Sequence, residues 1–180
     1  MRPFAIACML FIGLKSVFAC SLMAADPTSI VGIMAPDFRL SGTDGQTHRL
    51  SAMLKTGPVV VVWLPKAYTG NAQKMLESIN PVAIELEGRG VHVVVATCDK
   101  IKYLKGFARE TNLGFPILAD PTRTTAIQWT TVHGGREIPE RWAFFIGTSG
   151  KIEALETELE AARAGGLIWQ RAEQLGWVKP

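Results

Sequence analysis

Cys98 is the residue in this chain best suited to nucleophilic chemistry. It stands in Ala96-Thr97-Cys98-Asp99, where an apolar run ends and a helical pattern begins. Strand ends of this kind lie at the ligand-binding edge of an open α/β sheet, and a helix N-terminus lowers the pKa of a thiol. However, Asp99 disfavours a thiolate, and a free cysteine is commonly just a small buried residue. The sequence therefore favours a structural Cys98, with an auxiliary redox thiol as the alternative.

The other cysteines and the histidines do not form a recognisable site. Cys8 and Cys20 lie near the N-terminus, far from Cys98 in the sequence. The three histidines are widely spaced, and no pair of them has the separation typical of zinc ligands: His48, His92 and His133. We therefore expect no metal site, no cofactor and no intrachain disulfide framework.

The N-terminus has the layout of an export signal. Arg2 is followed by an apolar run from Phe4 to Leu14, which is too short to span a bilayer, and then by small residues. Cleavage after Ala19, Ala24 or Ala25 is compatible with this pattern. The sequence therefore predicts a signal and spacer over residues 1–25, and a periplasmic or extracellular protein.

A second interpretation of the same region concerns lipid attachment. The residues Val17-Phe18-Ala19-Cys20 resemble a bacterial lipoprotein box, although Phe18 fits it poorly. Association with a membrane is expected only if Cys20 is lipidated.

Composition limits the remaining possibilities. The chain has 180 residues, of which 48% are hydrophobic and 19% charged, which suits one compact domain over residues 26–180. The formal net charge is +3, and no run of Lys or Arg lies along a predicted helix or loop. Nucleic acid is therefore not an expected partner.

The hydrophobic pattern predicts alternating strands and helices. A hairpin turning at Thr43-Asp44-Gly45 comes first, and strands over Val59 to Leu64 and Val91 to Ala96 read as fully buried. We expect Ser51 and Asp99 to cap helices, and Gly165-Gly166 to break the last helix. Further elements are predicted over Ala72 to Gly88, Ile101 to Ala108, Phe115 to Leu118, Thr122 to Gln128, Trp142 to Ile146 and Lys151 to Ala154.

Four ordered blocks of residues resemble the peroxiredoxins of the alkyl hydroperoxide reductase and thiol-specific antioxidant group. Their active-site loop is similar to Pro65-Lys66-Ala67-Tyr68-Thr69, most of all in the bacterioferritin comigratory protein branch. The other blocks are Gly32 with Ala35-Pro36-Asp37-Phe38, Leu40, Asp44-Gly45 and Leu50-Ser51; Phe115 to Pro121; and Arg141 with Phe144-Phe145-Ile146 and Gly150-Lys151-Ile152. The resemblance implies a thioredoxin-like α/β fold with an N-terminal hairpin and a mixed central sheet flanked by helices.

The family motif also assigns roles within the active-site loop. It has a proline, a threonine four residues later and a peroxidatic cysteine three residues after that. Counting from Pro65 gives Thr69 and then Ala72. The resemblance therefore carries over Pro65, Thr69 and Arg141 as pocket residues, but not the nucleophile.

The alanine at the position of the family's cysteine leaves two classes of function. Since a methyl group cannot attack a peroxide, we expect a degenerate antioxidant-type protein that binds a small anion or peroxide-like ligand, a protein partner or a second copy of itself. The alternative is an active thiol peroxidase that uses Cys98 or a thiol from another chain. A further alternative, in which Ala72 is an engineered replacement for the cysteine of a working peroxidase, is disfavoured by the retained export segment.

Overall fold

A computed structural model describes residues 27–179 of the protein. The predicted signal segment, the lipoprotein box, Cys8 and Cys20 lie outside these residues. The structure contains seven strands: β1 (Arg39–Gly42), β2 (Thr47–Arg49), β3 (Val59–Trp63), β4 (His92–Thr97), β5 (Ile117–Ala119), β6 (Ala143–Ile146) and β7 (Ile152–Glu156).

The helices alternate with the strands along most of the chain, as predicted. Two short 3₁₀ helices, Pro27–Ile30 and Ala161–Arg163, accompany five α-helices: α1 (Leu50–Met53), α2 (Gly70–Gly88), α3 (Ile101–Thr111), α4 (Thr124–Gln128) and α5 (Ala164–Gln174). None of the described helices is long and apolar enough to cross a membrane.

All seven strands form one mixed sheet in the order β2-β1-β5-β4-β3-β6-β7. Strand β4 runs parallel to β3 and β5, while the pairs toward the two edges of the sheet are antiparallel. The predicted N-terminal hairpin and the antiparallel β6–β7 pair are both confirmed. The predicted fold class, a thioredoxin-like mixed sheet flanked by helices, is confirmed as well.

Both faces of the sheet are buried at β3, which explains the continuous apolar run of this strand. Because side chains alternate along a strand, Val60 and Val62 enter the core under α2, α3 and α5. Val59, Val61 and Trp63 enter the opposite core with Trp129 and Phe144. A strand covered on both faces has no polar positions, as the sequence indicated.

The predicted break of the last helix at Gly165-Gly166 is wrong, because α5 begins at Ala164 and holds both glycines in its first turn. A Cβ atom at position 165 would lie 2.0 Å from the backbone oxygen of Ser78 in α2. The Ser78 hydroxyl also accepts a hydrogen bond from the Gly165 amide (3.1 Å) and donates one to the Ala162 carbonyl (3.0 Å). Gly165 is therefore a close-packing residue between α2 and α5.

Both predicted caps are also wrong. Ser51 lies inside α1, where its amide donates to the Asp37 carboxylate at 2.9 Å. Helix α3 begins after Lys100 without a side-chain cap. Asp99 instead accepts a hydrogen bond from the Ala67 amide at 2.7 Å. Each carboxylate thus joins two segments distant in sequence, which local patterns do not reveal.

Candidate functional site

The loop from β3 to α2 ends in a side-chain cap on the helix. Thr69 has extended backbone angles, and its Oγ1 accepts a hydrogen bond from the Ala72 amide at 3.1 Å. This is the standard threonine N-cap, which satisfies one of the free amides of the first turn. Ala72 is the third residue of α2 and only 2% exposed.

Two contacts with the neighbouring strand–helix unit hold this loop in place. The Ala67 amide is bound to Asp99, which follows β4. Tyr68 has a positive φ of 54°, and its ring lies 4.8 Å from the Phe107 ring on α3. At Gly106, a Cβ atom would lie 2.7 Å from the Tyr68 hydroxyl. The loop is therefore packed against α3.

Cys98 lies just beyond β4, is partly buried, and lines a cavity of about 210 Å³ together with Pro65 and Arg123. Burial, with smaller effects from the carboxylates of Asp120 and Asp99, raises the pKa of Cys98 to about 12, although Arg123 opposes the shift. The thiol is therefore protonated at neutral pH, which is the form with little nucleophilic reactivity.

Arg141 lies two residues before β6 and lines a different, open groove of about 540 Å³. Its Nε atom is buried and has no hydrogen-bond partner in the described part of the chain. Leaving a buried donor unsatisfied costs about 1–3 kcal/mol. The groove is otherwise lined by Glu140, Thr157, Glu158, Leu159 and Glu160.

The four residues assigned to one pocket from the sequence are thus distributed differently. Pro65 and Arg141 line separate cavities, Thr69 is used as a helix cap, and Ala72 is buried in the core. The glutamates around Arg141 were not identified from the sequence. The run Thr157-Glu158-Leu159-Glu160 after β7 was the available signal for them.

The three histidines each have their own partners in different parts of the fold. His48 lies 2.9 Å from Asp44, and His92 lies 2.9 Å from Glu87. His133 stacks on Trp142. Among residues 27–179, no group of three or more His, Cys, Asp or Glu side chains is arranged to hold a metal ion.

Chemically, the described residues offer a capped helix start, a protonated thiol and an unpaired guanidinium. No one of these groups is a nucleophile at neutral pH. The guanidinium is suited to a carboxylate or another anion, since its planar donors bind such groups in pairs.

Comparison with known proteins agrees with this architecture. The Mycobacterium tuberculosis H37Rv protein named "Putative peroxiredoxin Rv1608c" is 32% identical over 125 residues, covering 67% of this chain and 80% of that protein. Peroxiredoxin Bcp of Escherichia coli K12 is 26% identical over 155 residues, covering 82% of this chain and 94% of that protein.

Solved structures give the same result. The crystal structure of peroxidoxin BcpB from Mycobacterium tuberculosis superposes with a TM-score of 0.73 at 26% identity, covering 81% of this chain and 97% of that chain. Residues 31–155 match the AhpC/TSA family. The chain therefore belongs to the AhpC/TSA family of peroxiredoxins, in its bacterioferritin comigratory protein branch.

Proposed function

We propose that this protein is an exported peroxiredoxin-family member that has lost the peroxidatic cysteine and acts by binding rather than by reducing peroxides. The observation that carries the proposal is Ala72, the third residue of α2, at the spacing from Pro65 and Thr69 where the family motif has its cysteine. A thiol there would stand at a helix N-terminus, which stabilises a thiolate. The Ala72 methyl group has no such chemistry.

The neighbouring groups do not replace that thiolate. The Thr69 hydroxyl oxygen is occupied by the Ala72 amide, and an alcohol does not ionise at neutral pH. Cys98, with its pKa raised to about 12, is protonated under the same conditions. A peroxide entering this region therefore meets no effective nucleophile.

Peroxide consumption tests the proposal directly. The protein is assayed with hydrogen peroxide and a thiol reductant, beside the variants Ala72→Cys and Cys98→Ser. We expect the wild type and Cys98→Ser to be inactive, and Ala72→Cys to gain activity. Activity of the wild type would overturn the proposal.

The alternative is an active thiol peroxidase that uses Cys98 or a thiol from another chain. It is favoured by the position of Cys98, which lines one cavity with Pro65 at the end of β4. If the wild type is active and Cys98→Ser abolishes that activity, Cys98 is the nucleophile. If the activity survives in Cys98→Ser and depends on a second protein, the thiol comes from that protein.

The binding role that we propose uses Arg141, whose Nε atom is buried without a partner. The Nε atom itself is closed to solvent, so a small anion in the groove would pair with the rest of this guanidinium, which makes no ion pair within the described chain. Calorimetry with acetate should detect binding by the wild type and its loss in Arg141→Ala, whereas the exposed control Arg39→Ala should bind normally. Equal binding by Arg141→Ala would contradict this role.

Export, lipid attachment and self-association belong to the same proposal. Cell fractionation and the mass of the mature N-terminus decide between cleavage within residues 19–25 and lipidation at Cys20. Light scattering on the purified protein decides between a monomer and a homodimer, and a protein partner would appear as a larger complex after crosslinking in cells.

A further inference from the structure

The groove beside Arg141 carries more negative than positive charge. Three of the residues that line it are glutamates, while Arg141 is the basic one. Two of the glutamates are matched by cations just outside the groove. Glu140 lies 3.1 Å from Arg136, and Glu160 lies 3.9 Å from Arg163.

The third glutamate, Glu158, has no such match. Its side chain is exposed and makes no ion pair or hydrogen bond with any residue of the described chain. Arg141 likewise makes no ion pair, and its Nε atom is buried without a partner. Two opposite charges therefore line one groove without reaching each other within 4.0 Å.

This arrangement leaves a gap between an unpaired guanidinium and an unpaired carboxylate. A simple anion would satisfy Arg141 but would be repelled by Glu158. A simple cation would face the reverse problem. A molecule carrying both a carboxylate and an ammonium group satisfies both sides, since each of its ends forms a charge-assisted hydrogen bond.

We propose that the groove between Arg141 and Glu158 binds a small zwitterion of the amino-carboxylate class. This inference rests on the proposed binding function and specifies its ligand: Arg141 takes the carboxylate and Glu158 takes the ammonium group. The second charged contact should strengthen binding about 1.5- to fivefold over a carboxylate alone, the range of an exposed ion pair.

Titration of the isotope-labelled full chain by NMR at constant ionic strength tests this inference. The probes are acetate, methylammonium, glycine, β-alanine and 4-aminobutyrate. The three amino acids separate their charged groups by increasing distances, so the tightest of them reports the width of the gap. Glu158→Gln removes the charge from an exposed side chain, and Glu77→Gln, on an exposed position of α2, is the matched control.

We expect one of the amino acids to bind more tightly than acetate, with shifts at residues 140–141 and 157–160. In Glu158→Gln that amino acid should fall to the affinity of acetate, while Glu77→Gln behaves as wild type. If acetate binds as tightly as every amino acid, the zwitterion inference is wrong and the anion site stands. If neither acetate nor an amino acid binds, both proposals fail, and if methylammonium alone binds, the groove is a cation site and the inference is wrong.

Discussion

Cys98 should react with the disulfide reagent DTNB about 30-fold more slowly in the folded protein than in the unfolded chain, after two opposing effects are combined. Burial and the carboxylates of Asp120 and Asp99 raise the pKa of the thiol from 9.0 to about 12. At pH 8 the thiolate is therefore about a thousandfold rarer in the folded state. A more basic thiolate is also more nucleophilic, which raises the rate of the folded-state thiolate about 30-fold and leaves a net slowing of about 30-fold.

The assay uses Cys8→Ser and Cys20→Ser together, so that Cys98 is the only thiol in the chain. Rates are measured in buffer and in guanidinium chloride from pH 7 to pH 10. The rate of the folded protein should rise about tenfold per pH unit across this range, because its pKa lies above it. The rate of the unfolded chain should level off near pH 9.

Two variants separate electrostatics from burial. Asp99→Asn removes a charge that raises the pKa and should speed the reaction, while Arg123→Gln removes a charge that lowers the pKa and should slow it. A folded-state rate equal to that of the unfolded chain, or a plateau below pH 8, would refute the reasoning. Cys98 would then be a reactive thiol, and the peroxidase alternative would gain support.

Three further predictions concern stability. Gly165→Ala should lower the free energy of unfolding by about 1–3 kcal/mol, because the new Cβ atom would meet the Ser78 carbonyl. The control Gly166→Ala has open space around it and should be neutral or stabilising. Thermal melts of both variants measure the difference. Thr69→Ala should cost about 1 kcal/mol of stability in urea titrations through loss of the helix cap, and Thr69→Ser should cost much less. Partial burial tends to raise the pKa of Asp37, but hydrogen bonds from the Ser51 amide and side chain and from Arg49 hold this pKa below 3.8. The ionised Asp37 carboxylate therefore stabilises the folded protein above pH 3.8, and this stabilisation is lost as the pH falls further. In acid titrations, Asp37→Asn should lack this pH-dependent loss of stability.

Much of the fold was predictable because it depends on local patterns. A strand buried on both faces must be largely apolar, and β3 satisfies that condition along its whole length and β4 between its two end residues, His92 and Thr97. The hairpin turn at Asp44-Gly45 and the final antiparallel pair were predictable for the same reason, since turn residues separate alternating segments. Thr69 was identifiable from the family motif, although its role as the cap on Ala72 required coordinates.

The misjudged features depend on contacts between distant segments. Two adjacent glycines weaken a helix in isolation, so a break at Gly165 was the reasonable local prediction. Packing reverses it, because the absence of a side chain lets α5 approach the α2 backbone. The same applies to the groove at Arg141, whose walls come from the segment before β6 and the segment after β7. A sequence pattern places these segments near neighbouring strands but does not show which charges remain unpaired.

The order of the β3–α2 loop does not require that the loop be catalytic. Tyr68 has left-handed backbone angles, which cost about 1–3 kcal/mol for a bulky residue and persist only where surrounding contacts offset them. Here the Tyr68 ring packs on Phe107, Gly106 leaves room for its hydroxyl, and Asp99 holds the adjacent Ala67 amide. These contacts lie on the α3 side of the loop and involve neither Ala72 nor any group in the groove. The loop therefore keeps its shape with alanine at position 72, and under the proposed loss of the peroxidatic cysteine Ala72→Cys would place a thiol at a helix start whose geometry is already in place.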